Sequence, residues 1–233
     1  MSYNKILDRD LQQLKSDIEQ MIEETKIQYA ETFEVVKTGD VNLALMVIEH
    51  DRIINDMQNE FTSTALWKIA KQNMVAKDLR LAVGAILISR EIERIADYSK
   101  NVCRFFVNYK PTKKYINSII KMFQIVIDML DIISRLFVEY AVDNKESVLD
   151  LEHELDKEFK SVYDYLIKQI RKTETHEEAV EIAEAMKQVK NLERAGDHLF
   201  NVQEIVTFIR TGKFEEVIDT QEKLEEEMME MTI

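Results

Sequence analysis

Two stretches a hundred positions apart carry the same acidic ladder. In "EIERIADYSKN", residues 91–101, Glu93, Asp97 and Asn101 are spaced by four; in "NLERAGDHLFN", residues 191–201, Glu193, Asp197 and Asn201 repeat the pattern. Positions i, i+4 and i+8 of a helix drift by only about 40° per step, so each set lines one face. Two carboxylates one turn apart repel unless a positive group lies between them: a metal ion, an arginine from another helix, or water dipoles.

A second acidic pair precedes each ladder. In "VIEHDRIIND" it is Asp51 with Asn55, and in "LEHELDKEF" it is Glu152 with Asp156. If the helices bearing these pairs pack antiparallel to the ladder helices, the oxygens meet at one height. An all-oxygen site of that kind favours Mg²⁺, Mn²⁺, Ca²⁺ or iron over thiolate-seeking ions. Asn55 stands where the second set has Asp156, so the first site carries less charge and is expected to bind more weakly. A single acidic pair on a charged helix is ordinarily a solvated face; the fourfold recurrence at matched positions is what argues for a site. His50, His153 and His198 each adjoin a ladder or pair residue and project about 100° away from it, which suits a surface or hydrogen-bonded role better than ligation. No Glu-x-x-His occurs, so the di-iron oxidase pattern is absent. P-loop, GxGxxG, GxSxG and Cys/His zinc spacings are absent too. Arg94 and Arg194, each following a ladder glutamate, are read as interhelix ion pairs, with contact to phosphate or a partner protein as the alternative.

The elements that must carry these residues are helices almost throughout. Only four Gly and one Pro occur in 233 residues, and no strict apolar–polar alternation persists. Gly39-Asp40 ends one helix and caps a second, which runs to about Lys71. A turn over Asn73–Asp78 precedes a third, which Pro111 closes. A fourth helix is expected over 113–142, a turn over 142–146, a fifth helix to about Arg171, and a sixth from a Thr175/Glu178 capping box to Thr211-Gly212. Aligned at an offset of 100, "SREIERIADYSKNVCRFF" and "VKNLERAGDHLFNVQEIV" match in Glu, Arg, Asp, Asn and Val. The pattern is a duplication: an all-α protein of two tandem three-helix bundles, residues 1–110 and 111–212, followed by an acidic tail over 213–233.

Bulk composition narrows the function. The formal net charge of −13, from 31 Lys plus Arg against 44 Asp plus Glu, argues against a nucleic-acid partner. Hydrophobic residues at 45% suffice for a core. The lone Cys103 makes no intramolecular disulfide and reads as a core thiol in a reducing compartment. The opening "MSYNKILDRDLQQL" has no signal-peptide core, and the most apolar stretch, 116–142, is broken by Lys121, Asp128, Asp131, Arg135 and Glu139. A cytoplasmic protein without membrane insertion is expected. Trp67 is expected to pack.

The doubled "ERxxDxxxN", with "VIEHDRIIND" upstream and "AKDLRLAVGAILISREIERIADYSKNV" and "NLERAGDHLFNV" carrying the ladders, resembles the PhoU family of phosphate-uptake regulators across nearly the whole chain. Two departures stand out: Ala96 replaces the glycine common before the ladder Asp (kept as Gly196), and Glu152 stands where an Asp is usual. The resemblance implies two three-helix bundles related by pseudo-twofold symmetry, in a cytoplasmic and commonly dimeric protein. It implies metal on E/DxxxD motifs, the candidates being Asp51, Asn55, Glu93, Asp97 and Asn101 in the first repeat and Glu152, Asp156, Glu193, Asp197 and Asn201 in the second. The ion is left open among Fe, Mn, Mg and Zn. It implies a non-enzymatic negative regulator that contacts the ATPase of a phosphate ABC transporter and a phosphate-responsive sensor kinase. The alternatives are a carboxylate-bridged metal hydrolase or oxidase, and a metal-free helical adaptor whose acids are paired by Lys and Arg.

Overall fold

The computed structural model describes residues 2–111, 113–139 and 145–213. Six helices follow one another: α1 Ser2–Thr38, α2 Val41–Lys71, α3 Ala76–Tyr109, α4 Lys113–Glu139, α5 Lys145–Ile170 and α6 His176–Thr211. No strand occurs among the described residues. Of the turn expected over 142–146, Lys145 and Glu146 are already helical and 142–144 lie outside the described residues, as does the tail from 214 onward.

Local chemistry sets the boundaries. Gly39 takes φ +73° and its N–H reaches Val35 O at 2.8 Å; the left-handed turn there favours glycine. Asp40 then caps α2, accepting from the N–H groups of Asn42 (2.8 Å) and Leu43 (3.2 Å). Thr175 Oγ1 accepts from Glu178 N–H at 3.3 Å at the start of α6. α3 starts earlier than expected, at Ala76, because Val75 caps it by backbone conformation alone. Asp78 therefore sits inside the first turn, where a negative charge suits the helix N-terminus. At the other end Lys110 adopts φ +45° and Pro111 prevents continuation.

α1, α2 and α3 pack mutually as one bundle, and α4, α5 and α6 as a second. Between the bundles, α3 meets α6 in the most extensive helix pairing of the molecule, and α1 meets α4. The symmetry can be read from a single contact. Tyr98 Oη lies 3.1 Å from His198 Nε2. These residues occupy the same position in the two repeats, and equivalent positions can touch each other only on the axis that relates them. Burial gives the rest of the correspondence: Ile18, Met21, Ile22 and Tyr29 of α1 are buried where Ile119, Met122, Phe123 and Leu130 of α4 are buried, an offset of 101. Where α1 meets α4, Phe123 stacks on Phe33 at 5.7 Å and tilts against Tyr29 at 5.4 Å, and Lys26 pairs with Asp131 at 2.9 Å.

Two expectations about single residues have different outcomes. Cys103 is fully buried, 3.5 Å from Thr32 Oγ1, and burial pushes its thiol up to about 12 despite that hydrogen bond. Trp67 is not packed: it is 57% exposed, with Lys71 over its ring. It sits on the outer face of α2, where no other described helix covers it. Phe123 is the better test of the core. Phe123→Ala should cost about 3–5 kcal/mol in chemical denaturation, because it opens a cavity shared by both bundles; a loss below about 1 kcal/mol would contradict the interbundle packing.

Candidate functional site

Asp51 of α2 faces the ladder on α3, and Asp156 of α5 lies near enough to Asp197 of α6 for their charges to repel, but the two repeats resolve the repulsion differently. In the first, the Lys100 ammonium reaches Asp51 Oδ2 at 2.6 Å and also bonds Asp97 Oδ1. Asp51 is 4% exposed and Lys100 12% by side chain, so this is a nearly dry ion pair. Asn55 Nδ2 donates to Asp51 Oδ2 at 2.8 Å. From α1, the Gln28 amide donates to Ala96 O and Ser99 Oγ, each at 2.9 Å, and lies 3.4 Å from Asp51 Oδ1. Burial alone would lower the Lys100 pKa, yet the bonds to Asp51 and Asp97 outweigh it and the net shift is upward. Glu93, one turn before Asp97, is pushed up by burial first and by the Asp97 charge second, against Arg90 and Arg94.

The second repeat has no such cation. Glu193 bonds Lys190, but its Oε2 is buried without a partner. Asp197 is raised by burial first, then by the charges of Glu193 and Asp156, with Lys190 and His198 only partly compensating. The carboxylates of α5 and α6 thus sense one another across the helix pair. Gly196 explains how the helices come so close: a Cβ there would overlap the Leu155 Cδ2 methyl. Glu152 lies on the His153 side, its Oε2 3.9 Å from His153 Nε2.

Asn101 and Asn201 turn away from the pairs. Asn101 Oδ1 accepts from Arg104 at 3.4 Å, and Asn201 Nδ2 donates to Glu91 Oε2 at 3.2 Å. Glu91 also takes His198 Nδ1 at 2.6 Å, so Tyr98, His198, Glu91 and Asn201 form a chain across the twofold axis. Burial works to raise Glu91, and its bonds to His198 and Asn201 hold it below the ordinary range instead. His198 is thus hydrogen-bonded, as expected of the ladder-adjacent histidines; His50 Nε2 lies 3.2 Å from Glu24 but lacks hydrogen-bond geometry. Arg94 and Arg194 correct the sequence reading: both are exposed, and neither forms an ion pair among the described residues. The ladder spacing that half-buries Glu93, Asp97 and Glu193 turns these neighbours by about 100° toward solvent, where Asp197 is exposed as well.

A family model described as the PhoU domain matches twice, over residues 18–106 and 119–206, on either side of Pro111. The chain belongs to the PhoU family. It is 28% identical over 209 residues to the phosphate-specific transport system accessory protein PhoU homolog 1 of Thermotoga maritima, covering 88% of this chain and 89% of that one. The PhoU homolog of Zymomonas mobilis is 30% identical over 215 residues, covering 90% and 88%. In fold it is similar to PhoU from Pseudomonas aeruginosa, with TM-score 0.82, 22% identity and 88% of this chain matched to 99% of that one. The corresponding protein from Streptococcus pneumoniae gives TM-score 0.76 at 16% identity, with 91% and 100% covered.

The metal implied by the PhoU resemblance meets a different environment in each repeat. Among the described residues no three His, Cys, Asp or Glu side chains form a ready-made cage. In the first repeat Lys100 already fills the space between Asp51 and Asp97. In the second, Glu193 Oε2 is buried without a partner, and the exposed Asp197 is raised by the charges of Glu193 and Asp156. Sequence reasoning missed Lys100, Gln28 and Ser99. Lys100 was open to detection, since it lies three residues after Asp97 within the ladder; Gln28 gave no signal without knowledge of how α1 packs.

The two aspartates therefore respond oppositely to removal of charge. Asp51→Asn leaves a nearly buried ammonium short of a partner and should cost about 3 kcal/mol. Asp197 has a raised folded-state pKa, so its ionisation opposes folding above that value and the penalty vanishes as pH falls toward the unfolded value. Without divalent cations, Asp197→Asn should thus raise the denaturation midpoint at pH 7, with the gain shrinking toward pH 4. Denaturant titrations at the two pH values check both signs.

Proposed function

We propose that this chain is a cytoplasmic, non-enzymatic negative regulator of phosphate uptake and phosphate-starvation signalling. The reading rests on the doubled PhoU domain spanning both bundles, together with relatives named as accessory proteins of phosphate-specific transport. In this reading the protein acts by contact, as a homodimer, with the ATPase of the phosphate ABC transporter and with a phosphate-responsive sensor kinase. The absence, among the described residues, of a helix long and apolar enough to cross a membrane is compatible with a partner that docks rather than inserts. Exposed Arg94 and Arg194 are available for that contact.

A cation on Glu193, Asp197 and Asp156 would neutralise the second-repeat acids and hold α5 against α6, fixing the surface shown to a partner. The motivating observation is the buried, unpartnered Glu193 oxygen. No catalytic step is assigned, because the acids that could act as a base are the same ones that would hold the ion.

Deleting the gene should raise phosphate uptake and switch on the starvation response in phosphate-replete medium, with complementation restoring both. Unchanged uptake and unchanged reporter expression in the deletion strain would defeat the regulatory reading. The ion is tested separately: protein stripped with chelator and dialysed against Mn²⁺ should retain metal and melt higher, and Asp197→Asn should abolish both effects.

A further inference from the structure

We propose that Lys100 is a built-in cation that takes the place of a bound ion in the first repeat, so that any ion dependence of this protein is confined to the second. Only the second clause rests on the ion reading above; the role of Lys100 stands without it. Every group that satisfies Asp51 is a donor supplied by the chain itself. Oδ2 receives the Lys100 ammonium and the Asn55 amide, and Oδ1 faces the Gln28 amide. The same ammonium bonds Asp97, tying α2 to the ladder of α3.

The second repeat lacks each of these donors, and also the Ser99 hydroxyl that accepts from the Gln28 amide. At the offsets fixed by burial, Gln28 corresponds to Met129, Asn55 to Asp156, Ser99 to Leu199 and Lys100 to Phe200. Two amides, a hydroxyl and an ammonium become three apolar side chains and one more carboxylate. The changes agree in direction: the enclosed Asp51 is met by an ammonium and amides from three helices, whereas in the second repeat Lys190 of the ladder's own helix bonds Glu193 and leaves its Oε2 buried without a partner. A divalent ion entering the first site would meet the ammonium at contact distance, with Asp51 too enclosed for water to screen the repulsion. To admit the ion, Lys100 would have to swing out and abandon both aspartates.

Two variants and Mn²⁺ as the probe decide the matter. In Glu193→Gln/Asp197→Asn protein, which keeps Lys100, we expect no retained Mn²⁺ after dialysis and no shift in Tm between chelator and Mn²⁺. Adding Lys100→Met to that background should lower Tm in chelator. Mn²⁺ at about a hundredfold excess over its Kd should then restore about 5–10 °C. If the triple variant is unfolded in chelator, folding on addition of Mn²⁺ supports the proposal, and failure to fold overturns it. A folded triple variant indifferent to Mn²⁺ also overturns it, as does Mn²⁺ retained by the double variant and lost on Asp51→Asn. Should wild-type protein bind no Mn²⁺ at all, the ion reading of the second repeat fails alone, and the triple variant still decides the role of Lys100.

Discussion

A carboxylate that folding hides from water must find positive charge or lose its own. Asp51, enclosed by three helices, poses that requirement at the centre of the first bundle, and the surrounding structure answers it. α1 brings Gln28, α2 brings Asn55 one turn below, and α3 brings Lys100. These bonds cross all three helices at one height, so they select a register as well as neutralising a charge. An apolar core would tolerate sliding of one helix past another by part of a turn. An ion pair this enclosed would not, because breaking it leaves a buried charge uncompensated.

The second bundle places its acids differently: Asp197 is exposed, and Glu193 is bonded by Lys190 through one oxygen while the other is buried without a partner. Gly196 admits Leu155 and so lets α5 crowd α6 at the height where the acids face each other. Asp197 is raised by its neighbours rather than held down by a partner. The two halves carry the same ladder and differ at a few positions around it, Lys100 against Phe200 among them. Because α3 and α6 pack against each other along the pseudo-twofold axis, the settled and unsettled ladders share one helix pair. The Tyr98–His198–Glu91 chain spans that pair, and His198 directly follows Asp197.

Much of this was legible in the sequence, for identifiable reasons. Glycine at 39 and 212 marked positive φ, and Asp40 and Thr175 marked caps, since those turns demand such residues. The ladder faces followed from spacing alone. The start of α3 was misplaced because Val75 caps by backbone conformation and left no side-chain signal. Trp67 was misjudged since burial of an aromatic is a tendency, while its place on the outer face of α2 is a tertiary fact. The partners of Asp51 were obscured for a related reason: helical spacing tells which residues share a face, but not which side chain of a neighbouring helix arrives there.

Lys100 is the instructive case. In a linear reading it is one basic residue among many on charged helices, and its counterpart Phe200 attracts no attention. Only the superposition of the repeats makes the substitution meaningful, because it sets an ammonium against an apolar ring at the same point between the same pairs of helices. Charge at a buried site is fixed by the sum of its neighbours, not by the acidic motif that names it. Two copies of one motif can therefore have opposite needs, and the need is read from the residues that face the motif.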